Sequence, residues 1–379
     1  MKGKQGMVCM GLLLVLSSCS CHTGKQITAS GLQRKDFQTE VNGQHTDLFT
    51  LSNKQGMEVC ITNYGARVVS ILVPDRNGKR EDVVCGFSTI TEYMEQRQNF
   101  GSTVGRYIGR ILNARFTLDG VEYKLVPNNG KSGHISHGGN PGFADRIWKV
   151  EQADTHRVCL SYLSPDGENG FPGNLKVTLV YSLGEDDNAL DLTYEATTDA
   201  PTVLNLSHHS FFNISGNFTK SVEDQQLWVD ADRFTPYDDK KCVTGEYLPV
   251  AGTPLDFRMP HTIGECIDAD HPQLKVVNGY DHTWELNTKG DDTRPAAWVY
   301  DPASGRKMEI FTTEPGIQIY TGNGLKGKMT GKGGIAYPFR SAVCFETMHF
   351  QDSPNQPGFP STVLRPGEVF RSHTVYKFE

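Results

Sequence analysis

Short runs of alternating apolar and polar residues recur along this chain, separated at close intervals by Gly, Pro, Asn and Asp. A period of two places alternate side chains on opposite faces of a strand, and those turn residues supply the backbone reversals between strands. Residues 68–73 form one such run. Asp75-Arg76-Asn77-Gly78 follows as a turn, and residues 82–84 resume the pattern. Residues 116–118 and 121–125 flank Asp119-Gly120, which predicts a tight hairpin. Residues 175–183 and 189–196 repeat the rule across a short connection. The 39 glycines and 19 prolines are enough for many turns. A single short helix is predicted over residues 88–98, capped by Ser88 or Thr89. No internal repeat and no linker-like break interrupts the chain. It reads as all-β: a large antiparallel sandwich of two sheets with few short helices.

The N-terminus reads differently. Lys2 and Lys4 precede an apolar run over residues 8–16 that is too short to span a bilayer comfortably. A basic start, a short apolar core and small residues make a secretory signal. The Leu16-Ser17-Ser18-Cys19 string resembles a bacterial lipobox, in which cleavage precedes a Cys that is then acylated. Residues 1–18 are therefore expected to be a lipoprotein signal peptide and Cys19 the lipidated residue. Residues 19–30 would form a flexible tether and 31–379 a single domain. That places the protein outside the cytoplasm, in the periplasm or cell envelope, held to a membrane by its lipid. Cys60, Cys85, Cys159, Cys242, Cys266 and Cys344 form no Cys-x-x-Cys pair, and mostly buried free thiols are expected. A net charge of −7 with no basic stripe excludes a nucleic-acid surface.

Several polar groups sit where a buried strand should be apolar. Glu346 ends an apolar run and shares a strand face with Ala342 and Cys344, while Val343 and Phe345 point the other way. A carboxylate there costs desolvation unless something holds or uses it. In residues 202–213 the alternation makes His208 and His209 point apart, which argues against a chelating pair. His209, on the face of Asn205 and Ser207, is the better candidate for a polar cleft, and imidazole is suited to proton transfer near neutral pH. His134 and His137 precede Gly138-Gly139, but their spacing is not diagnostic of a metal, and none is expected. Arg106 and Arg110, set in glycine-interrupted backbone, are each either surface charges or donors to substrate hydroxyls. Asp281, in Gly279-Tyr280-Asp281-His282, is either a turn residue or an acceptor for sugar hydroxyls.

Together these strings resemble the aldose 1-epimerase (galactose mutarotase) family over nearly the whole chain after the signal. The matching stretches occur in order: GSTVGRYIGRILNARFTLDG, HGG then GFADRIW, NLSHHSFFNISG, PLDFR, GYDHTWEL, EPGIQIYTGN and CFETMHFQDSPNQPGFPS. The resemblance implies a galactose mutarotase-like supersandwich that interconverts the anomers of a free aldohexose without a cofactor. It implies Glu346 as catalytic base and His209 as catalytic acid, with Arg110, His137, Asp281 and Gln318 binding sugar hydroxyls. On that reading Glu346 is ionised and His209 protonated, with an acid such as Asp281 favouring the charged imidazole. Four positions depart from the family pattern: Gly109 replaces a common Asn, Ser136 a usual Leu, His208 a frequent Asn and Met348 a common Gln. The rival readings are a noncatalytic sugar-binding lipoprotein, a glycosidase, which usually needs two facing carboxylates, and an epimerase of phosphorylated sugars, which would need a basic cluster.

Overall fold

The computed structural model describes residues 26–379. The expected signal peptide, Cys19 and the first part of the tether lie outside the described residues. Among those described, no helix is long and apolar enough to cross a membrane. Residues 26–30, the last of the expected tether, are docked on the domain. Thr28 is buried. The N–H groups of Ala29 and Ser30 donate to the Glu58 carboxylate at 2.7 and 3.3 Å, and Ser70 Oγ donates to Ser30 Oγ at 2.9 Å. A buried strand carboxylate needs donors, and this segment supplies two. Ordered structure therefore starts ahead of residue 31.

Among the described residues the largest sheet has nine antiparallel strands. Their order is Lys149–Ala153, Arg157–Ser164, Leu175–Leu183, Ala189–Thr198, Phe370–Phe378, Lys307–Thr312, Ala297–Tyr300, Gln226–Val229 and His261–Thr262. A six-stranded sheet runs Phe211–Phe212, Val343–Met348, Gly316–Tyr320, Asp281–Glu285, Arg233–Thr235 and Leu248–Pro249. A four-stranded sheet covers Leu48–Ser52, Glu58–Thr62, Arg67–Pro74 and Arg80–Asp82. The two larger sheets face each other across one core, into which Leu175, Val177, Leu179, Tyr181 and Leu183 project from alternate positions of their strand. That alternation is what the sequence pattern required. Across the gap the Tyr376 hydroxyl donates to the Phe345 carbonyl at 3.0 Å, and the Thr347 and Thr374 hydroxyls meet at 2.7 Å. Val343 and Phe345 thus face the core, which leaves Cys344 and Glu346 on the opposite face.

Local signals held at close range. The hairpin pairs Arg115–Leu118 with Val121–Lys124, with Asp119 at φ 52° and Gly120 at φ 81°, the two left-handed residues of a primed type I turn. The helix forms at Ile90–Gln96, closed by a capping box in which Thr89 and Glu92 satisfy each other's N–H groups. The six described cysteines are unpaired; Cys60, Cys85 and Cys344 are buried and the other three partly so.

On the outside of the nine-stranded sheet, His373 is held between Asp191 and Asp292, each at 2.6 Å. The Asp191 hydrogen bond first, then that of Asp292, raises its pKa from 6.5 to about 9 against the effect of burial. A histidine with a raised folded pKa stabilises fully below its unfolded value, and that contribution is lost as pH rises through the folded one. His373→Gln is expected to lower stability by about 1–2 kcal/mol near pH 6, discounted for partial exposure. The deficit closes between pH 6.5 and about 9. Parallel urea titrations at the two ends of that range check this; a deficit that persists at high pH would assign it to packing.

Candidate active site

The outer face of the six-stranded sheet forms the floor of a cavity of about 250 Å³, room for one small polar molecule. Glu346 and Gln318 are directly opposed across two antiparallel strands, and Gln318 opposes Thr283 on the next. Asp281, two residues before Thr283, lies diagonal to Gln318 and accepts from its Nε2 at 2.6 Å. His209 comes from outside this sheet. Its short strand, Ser207–His209, pairs with Ser102–Val104, and the chain then turns so that Phe211 pairs with Cys344. This brings His209 Nε2 to 3.4 Å from Glu346 Oε1, while His209 Nδ1 lies 3.6 Å from Cys344 Sγ. Phe211 stacks on the imidazole at 5.1 Å and 21°. His209, Cys344 and Glu346 bring ligand atoms within 4.8 Å of one another, so this is the one described cluster that could hold a metal; it is also the acid–base pair itself.

The opposite wall comes from the two-stranded pairing of Arg110–Ile111 with Ile135–Ser136. Arg110 extends into the cavity, and His137, at φ 51°, turns its ring edge-on to His209 at 5.4 Å. The glycine pair that follows is required by space. A Cβ at Gly138 would lie 1.9 Å from the Gly105 carbonyl oxygen, and both glycines have positive φ.

The six residues implied by the resemblance therefore converge on one cavity. Others do not join them. Arg106 is 2% exposed and donates to the Pro172, Gly173 and Pro165 carbonyls and to Ser164 and Thr202, so it ties loops together behind the site. Asn205 leaves the cleft to bond the N–H and C=O of His349, clamping the end of the Glu346 strand. His208 points into the core toward Ser210 Oγ, where burial lowers its pKa to about 3. His134 Nδ1 accepts the Asn113 N–H and its Nε2 lies 3.3 Å from Cys242 Sγ, so it ties separate segments together. Gln351 also lines the cavity and donates from Nε2 to the Tyr237 hydroxyl at 2.7 Å, and neither residue is marked in the sequence. Gln351 lies past the end of a strand, where alternation no longer predicts direction, and Tyr237 sits in a loop with no motif.

The electrostatic surroundings push against the sequence expectation. Burial pushes the Glu346 carboxyl well above its ordinary value, Asp281 adds to the push, and Arg110 opposes it. Burial holds the His209 imidazole well below its ordinary value, and neighbouring His137 lowers it further. Asp281 thus acts on Glu346 rather than stabilising a charged His209. Both pushes favour the state with a carboxylic acid beside a neutral imidazole. That state carries the same single proton as carboxylate beside imidazolium, so the two differ only in where the proton sits. His137 is lowered to about 4 by burial and by Arg110, and is neutral.

An antiparallel β-sandwich with a buried carboxyl–imidazole pair on a floor of amides, a carboxylate and a guanidinium defines a protein built for acid–base chemistry on a small polar molecule. The chain belongs to the aldose 1-epimerase family, whose profile matches residues 47–377. It is 39% identical over 330 residues to the galactose mutarotase of Sus scrofa, covering 87% of this chain and 93% of that one. It is 36% identical over 339 residues to the aldose 1-epimerase of Escherichia coli K12, covering 89% and 96%. Among solved structures, an aldose epimerase homologue from C. elegans superposes with a TM-score of 0.81 at 31% identity, covering 88% of this chain and 99% of that one.

Proposed function

We propose that this protein interconverts the α and β anomers of a free aldose such as galactose or glucose by opening and reclosing the hemiacetal ring. The observation that carries this reading is the Glu346–His209 pair at 3.4 Å on the floor of a polar cavity. Ring opening requires the anomeric hydroxyl to lose a proton while the ring oxygen gains one. A base on one side and an acid on the other allow both transfers without a free ion, each worth about 10²–10⁴-fold. With the shared proton on His209, Glu346 takes the anomeric proton and His209 supplies the ring oxygen. The aldehyde then rotates about its first carbon–carbon bond and closes on the other face with the roles exchanged. A pair that shares one proton suits this reversal, because each partner serves as acid in one half of the reaction and base in the other. Arg110, His137, Asp281 and Gln318 hold the remaining hydroxyls still while the anomeric centre moves.

The test is the optical rotation of freshly dissolved α-D-galactose and α-D-glucose with time, with the signal-free protein against buffer. Accelerated decay is expected. Sugar binding without acceleration would favour the noncatalytic binding reading instead, and release of sugar from a glycoside would favour a glycosidase.

Export and anchoring are a separate proposal, supported by Lys2, Lys4, the apolar run and Cys19 of the N-terminus. A palmitate label is expected to enter the full-length protein in a bacterial host and to disappear in Cys19→Ala. Labelling that survives the substitution would refute Cys19 as the lipid site.

A further inference from the structure

Gln351 follows Glu346 by five residues, is 4% exposed and lines the same cavity. Its backbone surroundings are tied to the opposite wall: the Asp352 N–H donates to the Arg110 carbonyl at 2.8 Å, and the Asp352 carboxylate accepts from the Leu112 N–H at 2.9 Å. Its side chain fills the place where residue 109 would carry one. Gly109 has φ +75°, and a Cβ there would lie 2.5 Å from Gln351 Cγ and 3.0 Å from Cδ.

The polar end of Gln351 joins groups from both sides of the cavity. Its Oε1 accepts from the Arg110 backbone N–H at 3.3 Å and from Arg110 Nη1 at 3.4 Å. Its Nε2 donates to the Tyr237 hydroxyl at 2.7 Å and to Gln318 Oε1 at 3.4 Å. Gln318 in turn donates from Nε2 to Asp281. The direction of this chain follows from its donors: Arg110 can only donate, which sets Gln351 Oε1 toward it, and Gln318 Oε1 accepts from Gln351 Nε2 and from the Thr283 hydroxyl, which leaves Gln318 Nε2 to face Asp281.

We propose that Gln351 is a positioning residue that sets the geometry of Arg110 and Gln318 around the sugar and closes the cavity wall above Gly109, so that it governs sugar affinity rather than the rate of ring opening. The inference rests on the sugar-binding reading of this cavity. Gln351 touches neither Glu346 nor His209 through a hydrogen bond, so the proton transfers do not run through it. Its loss takes an acceptor from the Arg110 guanidinium and one of two donors from Gln318 Oε1, which keeps the Thr283 hydroxyl, so the wall loosens chiefly at Arg110.

Three variants separate this role from a structural one. Gln351→Met keeps the bulk and removes the polarity. Gln351→Glu can still accept from Arg110 but, ionised, cannot donate to Gln318. Gly109→Ala forces the Gln351 side chain aside. KM and kcat for galactose and glucose, melting temperature, and galactose affinity by ligand-observed NMR are measured for each and for the parent. The expected result is a KM raised about tenfold in Gln351→Met and at least severalfold in the other two, the loss of roughly one good hydrogen bond. kcat should stay within about threefold of the parent, with galactose affinity falling in step with KM. Loss of kcat at unchanged KM, or no change in either, overturns the proposal. A parent that binds galactose without accelerating mutarotation refutes the proposed activity alone. The NMR affinities then decide the role of Gln351, and an unchanged affinity in Gln351→Met rejects it.

Discussion

Glu346→Gln is expected to lower kcat for mutarotation by about 10³-fold, within the span a positioned general acid or base contributes. Gln has the same length and shape, but it can neither take nor give the proton. The change is also expected to leave the fold intact and to raise its melting temperature at neutral pH. A carboxyl whose folded pKa lies above its unfolded value of 4.5 binds more protons folded than unfolded, so stability falls as pH rises from that value. Gln removes that cost. A more stable, inactive variant would show that the buried acid is retained for chemistry at the expense of stability. Activity close to the parent's would rule out Glu346 as the base, whatever the family pattern.

His209→Asn should cost about 10²–10³-fold in kcat, since the ring oxygen loses its proton partner while Glu346 remains. The pH profile of the parent tests the charge states as well. If the pair required an ordinary carboxylate near 4.5 and an ordinary imidazolium near 6.5, kcat/KM would peak between them and fall about tenfold per pH unit above 6.5. With the carboxyl pushed up and the imidazole pushed down, the pair keeps its single proton over a wider window. A plateau that extends beyond both ends of the 4.5–6.5 interval is therefore expected. A profile already falling at neutral pH would reject the shared-proton pair. The melting temperature of His209→Asn is a necessary control, because the substitution also removes the partner of the buried Cys344 thiol.

The resemblance placed Glu346, His209, Arg110, His137, Asp281 and Gln318 in one site, and the structure brings these residues from five strands and one loop to one cavity. Of the family departures, His208 turns away from that cavity and cannot reshape it, whereas Gly109, Ser136 and Met348 line it. Gly109 is the one with a visible substitute, because Gln351 occupies the volume that a side chain there would need.

What the amino-acid order alone determined is local and periodic. Alternation set which face of each strand is buried, and Asp119-Gly120 set a primed turn. Thr89 and Glu92 set a helix start, and the opposed directions of His208 and His209 followed from two-residue geometry. Each depends on backbone stereochemistry over a few residues, which a sequence states directly. Only the tertiary structure decided the charge states of Glu346 and His209, the structural role of Arg106, the diversion of Asn205 to His349, and the part played by Gln351. These depend on desolvation and on partners far apart in the chain, and both arise only once short strands and loops close over the outer face of the six-stranded sheet.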